Sequence, residues 1–400
     1  MGIKGLLRAL GPLLVAPEGS STAERDDGTR HARASDASSF SSPAARRRRR
    51  EGGGGGGGTH HIRQFAGRRL AVDASAWLHR GAYSCCSQLV EALESSHPPT
   101  CDEGTPSCVA RYTGYVTNRC GELLDHAGVA RIHLVFDGKR CPLKAGTNEE
   151  RDRRRAAALK EARKLKGLGR NREAEEKYKM CIKVTTGMER RVAEAVQRKW
   201  GRSGSGKQLK VTCVFSPYEA DAQLAALCRD GVVDAVVTED SDVLVYSAAI
   251  GVPFPIIYKL DRDSGDCDVL TMDWLLSPNP SNSSNDPLAE LRRYLPCQAA
   301  RQKGDNKGRR DSSSKGERSG SFLSSLRCLS RREILRPGAG VRLFIQACVL
   351  SGCDYAPSRM TGVGHVGAFK MVVENAHRKD GERFLRVLRS LPKGTVTGKE

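Results

Sequence analysis

Short apolar runs alternate with helical patterns along much of the chain, and acidic residues fall where the apolar runs end. Residues 211–246 show this most fully, because a β-branched run (211–215) is followed by a helical pattern and then by a second apolar run. That order predicts a strand, a helix and a strand. The acids of the stretch are Glu219, Asp221, Glu239, Asp240 and Asp242. Ligands collect at the carboxyl ends of strands in an open α/β sheet, so these acids are expected to share one site.

The same pattern occurs earlier in the chain. Residues 69–75 form an apolar run through Asp73 that precedes a helical stretch, and the run RIHLVF ends at Asp137. Strands that alternate with helices predict an α/β fold, with a central, mostly parallel sheet flanked by helices and joined by right-handed crossovers. Residues 253–260 and 268–276 predict an edge hairpin and a short helix.

Two later helical regions differ in charge. Residues 149–199 are helical by propensity and very basic, with a break at Gly167 and Gly169. A solvent-exposed helix with i,i+4 charge pairs explains this pattern, and so does a helix that faces a charged ligand. Near the end of the chain a helical pattern runs into Asp354, and a glycine turn in residues 361–370 opens another helix, whose backbone N–H groups would face an anion.

The composition indicates a charged partner and a reducing compartment. The 400 residues carry a formal net charge of +20, which is typical of proteins that bind nucleic acid or an anionic membrane surface. The 14 cysteines include no CxxC pair, which argues against a zinc site or a disulfide framework. No apolar run approaches membrane-spanning length, and the basic, acid-free start of the chain is compatible with a transit peptide. Residues 17–59 and 277–337 are low in complexity, and we interpret both as disordered insertions.

Each acid, taken singly, has a structural explanation. The sequence SPYE at 216–219 fits a capping box, with Ser at the N-cap, Pro at N1 and Glu at N3. Asp221 would complement the helix dipole, and Asp73 and Asp137 would cap the helices that follow their strands.

Taken together, the acids favour a metal site. Asp240 and Asp242 are two residues apart on an expected extended segment, so their side chains would face the same way and repel each other unless a cation lies nearby. Seven acids fall at strand ends or helix starts of this basic chain: Asp73, Asp137, Glu219, Asp221, Asp240, Asp242 and Asp354. Hard oxygen ligands suit Mg²⁺, with Mn²⁺ as a substitute. We expect two such ions and phosphodiester cleavage.

Seven segments carry a family resemblance: MGIKGLL, VDASAWLHRGA, LVFDGKRCPLK, SPYEADAQLAAL, TEDSDVLV, LSGCDY and GVGHVGAFK. They resemble the flap endonuclease/XPG superfamily of structure-specific 5′ nucleases, and within it the exonuclease 1 family. The resemblance implies a PIN-like 5′-nuclease fold with a helical arch and a helix–two-turn–helix module. By this resemblance residues 1–16 and 60–276 form an N-terminal nuclease region, whose arch spans about 139–200, and residues 338–400 form an internal nuclease region with the helix–two-turn–helix module.

The resemblance also implies roles for individual residues. The seven acids would bind the metal ions, and Lys144 and Arg151 match the basic pair at the base of the arch, where they would neutralise charge on the scissile phosphate. The residues expected to contact DNA are Gly2, His79, Gly362, Gly364 and Lys370. Backbone oxygens of the helix–two-turn–helix module would hold a K⁺ ion.

The implied activity is a Mg²⁺-dependent 5′→3′ exonuclease of double-stranded DNA with 5′-flap endonuclease activity. Its substrates would have 5′ ends, nicks or flaps, and it would act in the nucleus with mismatch-repair proteins, in mismatch repair and recombination, without membrane association. Two departures leave alternatives open. Ser75 stands where the family has an aromatic residue that stacks on a base, and the chain stops at Glu400, before the last elements and the tail expected of the family. The alternatives are a dedicated flap endonuclease and a duplex-binding scaffold with impaired catalysis.

Overall fold

The computed structural model of the chain describes residues 60–95, 102–201, 209–272, 339–353, 355, 359–360, 363–376, 380–390 and 396–397. The insertions expected at 17–59 and 277–337 lie outside the described residues. Three of the predicted site residues, Gly2, Asp354 and Gly362, lie outside them as well.

A seven-stranded sheet forms the centre of the described structure. Its strands are β1 (His60–His61), β2 (Arg69–Asp73), β3 (Arg131–Phe136), β4 (Val211–Phe215), β5 (Ala235–Val237), β6 (Ile256–Tyr258) and β7 (Asp266–Leu270). They lie in the order β1-β7-β6-β5-β2-β3-β4. Strands β6, β5, β2, β3 and β4 run parallel, whereas β7 and β1 are antiparallel to their neighbours. The predicted α/β class with a mostly parallel sheet is confirmed.

The predicted hairpin exists but does not form the edge of the sheet. Strands β6 and β7 pair antiparallel, and the two-residue strand β1 then pairs with the outer side of β7. The short helix predicted to follow would begin near the last described residue of this stretch, Met272, so it lies outside the described residues.

Helices cover both faces of the sheet. They are α1 (Ala74–Ala82), α2 (Cys86–Ser95), α3 (Pro106–Gly121), α4 (Ala145–Gly167), α5 (Asn171–Cys181), α6 (Thr186–Trp200), α7 (Ala220–Arg229), α8 (Asp242–Ile250), α9 (Ala339–Leu350), α10 (His365–Glu374) and α11 (Asp380–Ser390). Because side chains alternate along a strand, Leu70 and Val72 of β2 enter one core, which they share with α1 to α6. Ala71 enters the other core, with α7 to α11. Burial on both faces explains why these strands read as nearly continuous apolar runs.

Three helices, α4, α5 and α6, span the basic stretch. The predicted break between α4 and α5 is present, and Gly169 has a φ of +74° there, a left-handed conformation that favours glycine. Leu159 and Tyr178 are buried between the first two helices, and the Lys177 Nζ lies 2.7 Å from a carboxylate oxygen of Glu161. The helices of this stretch therefore pack against each other through a few apolar side chains, and many of their charged side chains form ion pairs on the surface.

The helix after β4 begins later than the capping-box pattern predicts. It starts at Ala220 with Glu219 as its N-cap residue, and the Glu219 side chain makes no capping hydrogen bond. The Lys139 amide donates to the carbonyl oxygen of Pro217 at 3.1 Å, so backbone pairing keeps this segment out of the helix past the predicted helix start. Ser216, the predicted N-cap, has a buried hydroxyl with no hydrogen-bond partner in the described part of the chain.

Asp240 and Asp242 do not lie together on an extended segment, as the sequence suggested. Asp242 is the first residue of α8. Its backbone amide donates to the Asp240 Oδ1 at 3.0 Å, so the Asp240 side chain turns the backbone directly after β5 and starts the helix. The two carboxylates are nevertheless neighbours, as the prediction required.

The last described segments pack against the α8 side of the sheet. Helix α9 contacts both α8 and α10, and the rings of Phe344 and Phe369 lie 5.9 Å apart between α9 and α10. Helix α10 begins directly after Gly364, as the glycine pattern predicts. Strands β8 (Arg359–Met360) and β9 (Val396–Thr397) form a separate antiparallel pair.

Candidate active site

Four neighbouring parallel strands end at one edge of the sheet, and each is followed by acids. β2 ends at Asp73, β3 is followed by Asp137, β4 leads to the start of α7, and β5 leads to the start of α8. Parallel pairing forces these ends to the same edge, so acids that are far apart in the sequence converge there.

Gly138 brings the end of β3 to the start of α7. A Cβ atom at this position would overlap the backbone carbonyl oxygen of Ser216, so only glycine allows the two segments to pair this closely. The pairing places the Asp137 Oδ1 2.8 Å from the backbone nitrogen of Ala220, which donates to it. Asp137 therefore caps a helix, as predicted, but it is α7 and not the next helix in the chain. Asp73 does cap the helix after its own strand, since the Ala76 amide donates to its Oδ1 at 3.3 Å.

Three carboxylates form a tight group at this edge. One oxygen from each of Asp221, Asp240 and Asp242 lies within 4.8 Å of the other two. Asp221 stands in the first turn of α7, Asp240 follows β5, and Asp242 begins α8. A set of oxygen ligands at this spacing, drawn from rigid helix starts, suits a hard divalent cation.

The electrostatics of the group agree with that chemistry. Burial, followed by repulsion from Asp240 and Asp73, raises the pKa of Asp221 well above its ordinary value. Burial, followed by repulsion from Asp137, raises the pKa of Asp73 to about 7. Like charges held this close disfavour the ionised form unless a cation offsets them. The residues present therefore fit a divalent metal centre.

Lys144, which is buried, and Glu219, which is half-buried, form an ion pair beside the acids. The Lys144 Nζ lies 2.6 Å from the Glu219 Oε1, and only 7% of Lys144 is exposed. The Tyr355 hydroxyl donates to the other Glu219 oxygen, Oε2, and the Lys144 Nζ lies 4.3 Å from the centroid of the Tyr355 ring. The hydroxyls of Tyr246 and Tyr355 are 2.7 Å apart. Burial, followed by the hydrogen bond to Glu219, raises the pKa of Tyr355, so its hydroxyl keeps its proton.

Three residues of this edge escaped the sequence analysis. Tyr355 contacts the ion pair and Tyr246 contacts Tyr355. A sequence signal existed for both, because Tyr355 directly follows the last acid and Tyr246 lies one helical turn after Asp242. The third is Thr238, whose hydroxyl donates to the Asp73 Oδ2 at 3.4 Å and accepts from the Asp240 amide at 3.0 Å. A single threonine in an apolar strand gave no comparable signal.

The other predicted contact residues lie on separate elements. Arg151 is half-buried in the second turn of α4. His79 is half-buried on α1, where its ring makes an edge contact with Tyr83 at 5.3 Å, and burial lowers the pKa of His79. Gly364 is exposed directly before α10, and Lys370 is exposed on the second turn of that helix. The described structure thus brings together six of the seven predicted acids with Lys144, and leaves the expected roles in DNA contact as predictions.

Comparison with known proteins agrees with this architecture. Residues 56–158 match the XPG N-terminal domain and residues 210–270 match the XPG I-region. Two regions of the chain therefore match models of the XPG family, which confirms the resemblance found in its sequence.

The chain is also similar to individual proteins. The chain is 32% identical to exonuclease 1 of Danio rerio over 209 residues, which are 52% of this chain and 22% of the relative. It is 26% identical to exonuclease 1 of Oryza sativa subsp. japonica over 328 residues, which are 82% of this chain and 29% of the relative. The chain thus spans less than a third of the length of either relative. A solved structure of the catalytic core of Rad2 in complex with DNA substrate aligns with a TM-score of 0.42 and 18% identity, over 84% of this chain and 72% of that one.

No helix within the described ranges is both long enough and apolar enough to cross a membrane.

Proposed function

We propose that this protein is a Mg²⁺-dependent 5′→3′ exonuclease of double-stranded DNA that also cleaves 5′ flaps. The observation that carries the proposal is the group formed by Asp221, Asp240 and Asp242, whose oxygens lie within 4.8 Å of one another at the sheet edge where the XPG-type regions meet. The proposed metal ligands, some of them acting through water, are Asp73, Asp137, Glu219, Asp221, Asp240, Asp242 and Asp354, the last of which lies outside the described residues.

A pair of bound Mg²⁺ ions, or Mn²⁺ in their place, would supply activated water and stabilise the leaving oxygen of an in-line phosphodiester displacement. The protein's own cations act on the substrate. Lys144 lies directly at the acidic edge, 2.6 Å from Glu219, and Arg151 is two helical turns further along the chain. Both would offset the developing charge of the scissile phosphate, Lys144 from a buried position and Arg151 from a half-buried one.

The remaining predicted residues would position duplex DNA. Gly364 has an extended backbone directly before α10, and a Cβ atom there would meet nothing within 4 Å, so a phosphate can approach its backbone closely. Lys370, exposed on the same helix, would add a phosphate contact, and a K⁺ ion held by backbone oxygens of this region is part of the proposal. Gly2 and Gly362 keep their proposed DNA contacts, although both lie outside the described residues, and His79 would lie beside the split duplex.

The cellular role follows from the similarity to exonuclease 1 proteins. We place the protein in the nucleus, in DNA mismatch repair and recombination, acting on duplexes with 5′ ends, nicks or flaps together with mismatch-repair proteins. The net charge of +20 supports a polyanionic substrate.

A second candidate function has one observation in its favour. Ser75 occupies the position where the family's stacking aromatic is expected, and its buried hydroxyl has no hydrogen-bond partner among the described residues. Weak base stacking there would favour a duplex-binding scaffold with impaired catalysis over an enzyme.

Cleavage assays separate these candidates. Purified protein is incubated with Mg²⁺ and 5′-flap, recessed-end or blunt duplexes, with Asp240→Ala as the matched inactive variant. We expect metal-dependent digestion from 5′ ends and flap cleavage by the wild type, and neither by the variant. Duplex binding without metal-dependent cleavage would refute the proposed enzymatic activity and favour the duplex-binding scaffold. Flap cleavage without processive digestion would favour a dedicated flap endonuclease.

A further inference from the structure

Tyr355 contacts both members of the Lys144–Glu219 ion pair. Its hydroxyl donates to the Glu219 Oε2, while its ring lies 4.3 Å from the Lys144 Nζ. The two functions come from different parts of one side chain, because the hydroxyl binds the anion and the π-face binds the cation. Tyr355 therefore fixes the carboxylate and the ammonium relative to each other.

The single proton of the Tyr355 hydroxyl fixes which group donates and which accepts in its hydrogen bonds to Glu219 and Tyr246. A tyrosine hydroxyl carries one proton, and Tyr355 uses it on Glu219, whose oxygens also accept from Lys144. The Tyr246 hydroxyl, 2.7 Å away, must therefore donate to the Tyr355 oxygen. The two hydrogen bonds therefore connect Tyr246 on α8, the helix that begins with Asp242, through Tyr355 to Glu219 at the start of α7.

We infer that Tyr355 is a positioning residue. Its hydroxyl orients Glu219 toward a divalent cation, and its ring retains the Lys144 side chain while the ammonium leaves Glu219 and binds a substrate phosphate. The inference rests on the proposed function. It extends that function by assigning separate tasks to the hydroxyl and to the ring of one residue.

The exchange is favourable for a simple electrostatic reason. In the described arrangement the ammonium offsets part of the negative charge at the acidic edge, 2.6 Å from Glu219. With that charge offset by bound cations, Lys144 gains more from a phosphate oxygen than from Glu219. The ring contact persists through the exchange, so the side chain does not have to be ordered anew when the substrate binds.

Two substitutions separate the hydroxyl from the ring. Tyr355→Phe removes the donor to Glu219 and keeps the π-face, whereas Tyr355→Leu removes both. Tyr246→Phe removes only the donor to the Tyr355 oxygen. The matched control is Tyr178→Phe, because Tyr178 also donates to a carboxylate, Glu91 at 2.6 Å, and also has a lysine over its ring, with the Lys166 Nζ at 5.8 Å.

The first readout is Mg²⁺ affinity, measured by calorimetric titration of the DNA-free protein. Groups that orient a metal-binding carboxylate typically contribute about 10- to 100-fold in affinity. We expect Tyr355→Phe and Tyr355→Leu to weaken Mg²⁺ binding about tenfold, and Tyr246→Phe to weaken it roughly fivefold. Tyr178→Phe should leave the affinity within about twofold of wild type, because its carboxylate lies outside the acidic edge.

The second readout is the single-turnover cleavage rate at saturating Mg²⁺. Tyr355→Phe should approach the wild-type rate there, whereas Tyr355→Leu should remain about tenfold slower, because a desolvated cation–π contact is lost. A merely structural tyrosine would not divide its effects between affinity and rate in this way.

The outcomes are distinguishable from failure of the proposed function. If the wild type binds Mg²⁺ but does not cleave DNA, the proposed function fails, and the affinities of the Tyr355 variants still decide whether the hydroxyl orients Glu219. Unchanged Mg²⁺ affinity in Tyr355→Phe overturns the inference, as does an equal loss in Tyr178→Phe or a wild type that binds no Mg²⁺. Should Tyr355→Leu not fold, Tyr355→Phe and its control carry the test alone.

Discussion

A tyrosine, a carboxylate and a basic side chain meet in two places in this protein. Between α2, α4 and α5, the Tyr178 hydroxyl and the Arg163 guanidinium both bind Glu91, at 2.6 and 2.8 Å. At the acidic edge, the Tyr355 hydroxyl and the Lys144 ammonium both bind Glu219. The contacts are nearly the same, but the surroundings are not.

The difference lies in what else surrounds each carboxylate. The Arg163 hydrogen bond holds the pKa of Glu91 below its ordinary value, and the pair ties α4 to α2 at the surface, where the Arg163 side chain is 50% exposed. Glu219 stands instead beside a group of acids, where burial, followed by repulsion from Asp240, raises the pKa of Asp221. The same group of contacts is a structural tie where its charges balance, and it belongs to the proposed metal site where negative charge is left over.

The sharpest test of this comparison removes the cation from each group. We expect Lys144→Ala to slow single-turnover cleavage by about 10²- to 10³-fold while duplex affinity falls only a few-fold, because the ammonium acts on charge that develops during the reaction. Arg163→Ala should act mainly on the free energy of unfolding, by about 1 kcal/mol or less, as partly exposed ion pairs do. Stopped-flow cleavage, binding titrations and chemical unfolding measure the three quantities. Equal losses in rate and binding for Lys144→Ala would refute its role at the scissile phosphate.

The next test neutralises the carboxylates. Glu219→Gln should weaken Mg²⁺ binding about 10- to 100-fold in calorimetric titrations, since a proposed ligand loses its charge. Glu91→Gln should leave Mg²⁺ affinity near the wild-type value and lower the free energy of unfolding by about 1 kcal/mol. A comparable loss of Mg²⁺ affinity in both variants would mean that the two groups do not differ in the way described.

Metal removal provides a third, smaller contrast. Mg²⁺ at ten times its dissociation constant should stabilise the wild type by about 1.4 kcal/mol, visible as a rise in melting temperature. Asp221→Asn should raise the stability of the metal-free protein, because repulsion from its neighbours disappears, and should shrink the rise caused by Mg²⁺. An undiminished Mg²⁺ response in this variant would argue against Asp221 as a ligand.

The smallest expected effect concerns Glu189, a buried carboxylate on α6 outside both groups. Burial, followed by repulsion from Asp137, raises the pKa of Glu189 from 4.5 to about 7. The stability that its protonated form contributes is fully present below pH 4.5 and is lost as the pH rises through about 7. Glu189→Gln should therefore match the wild type near pH 4.5 and be more stable at pH 8, on the order of 1 kcal/mol. Melting temperatures across this range measure the difference, and a constant offset at every pH would contradict the assignment.

The sequence predicted much of this structure because two strong periodic signals agreed. Apolar runs such as RLAVD and RIHLVF are typical of strands buried on both faces, and their alternation with helices implies a parallel sheet. The acids at the ends of those runs followed as candidates for one edge. The local chemistry of the α7 start was not predictable in the same way, because the capping-box pattern at 216–219 was overridden by pairing with the segment after β3.

By itself, the sequence determined the class of fold, the placement of the acids at strand ends and the family to which the segments are similar. Those properties depend on local periodicity and on residue identity, which a single chain displays directly. Only the tertiary structure decided that Asp137 caps α7, that Lys144 pairs with Glu219 and that Tyr355 contacts both. The reason is physical: these contacts join residues 75 to 211 positions apart, and such distances are closed by strand order and by the fit of Gly138 against Ser216, not by any pattern within one segment.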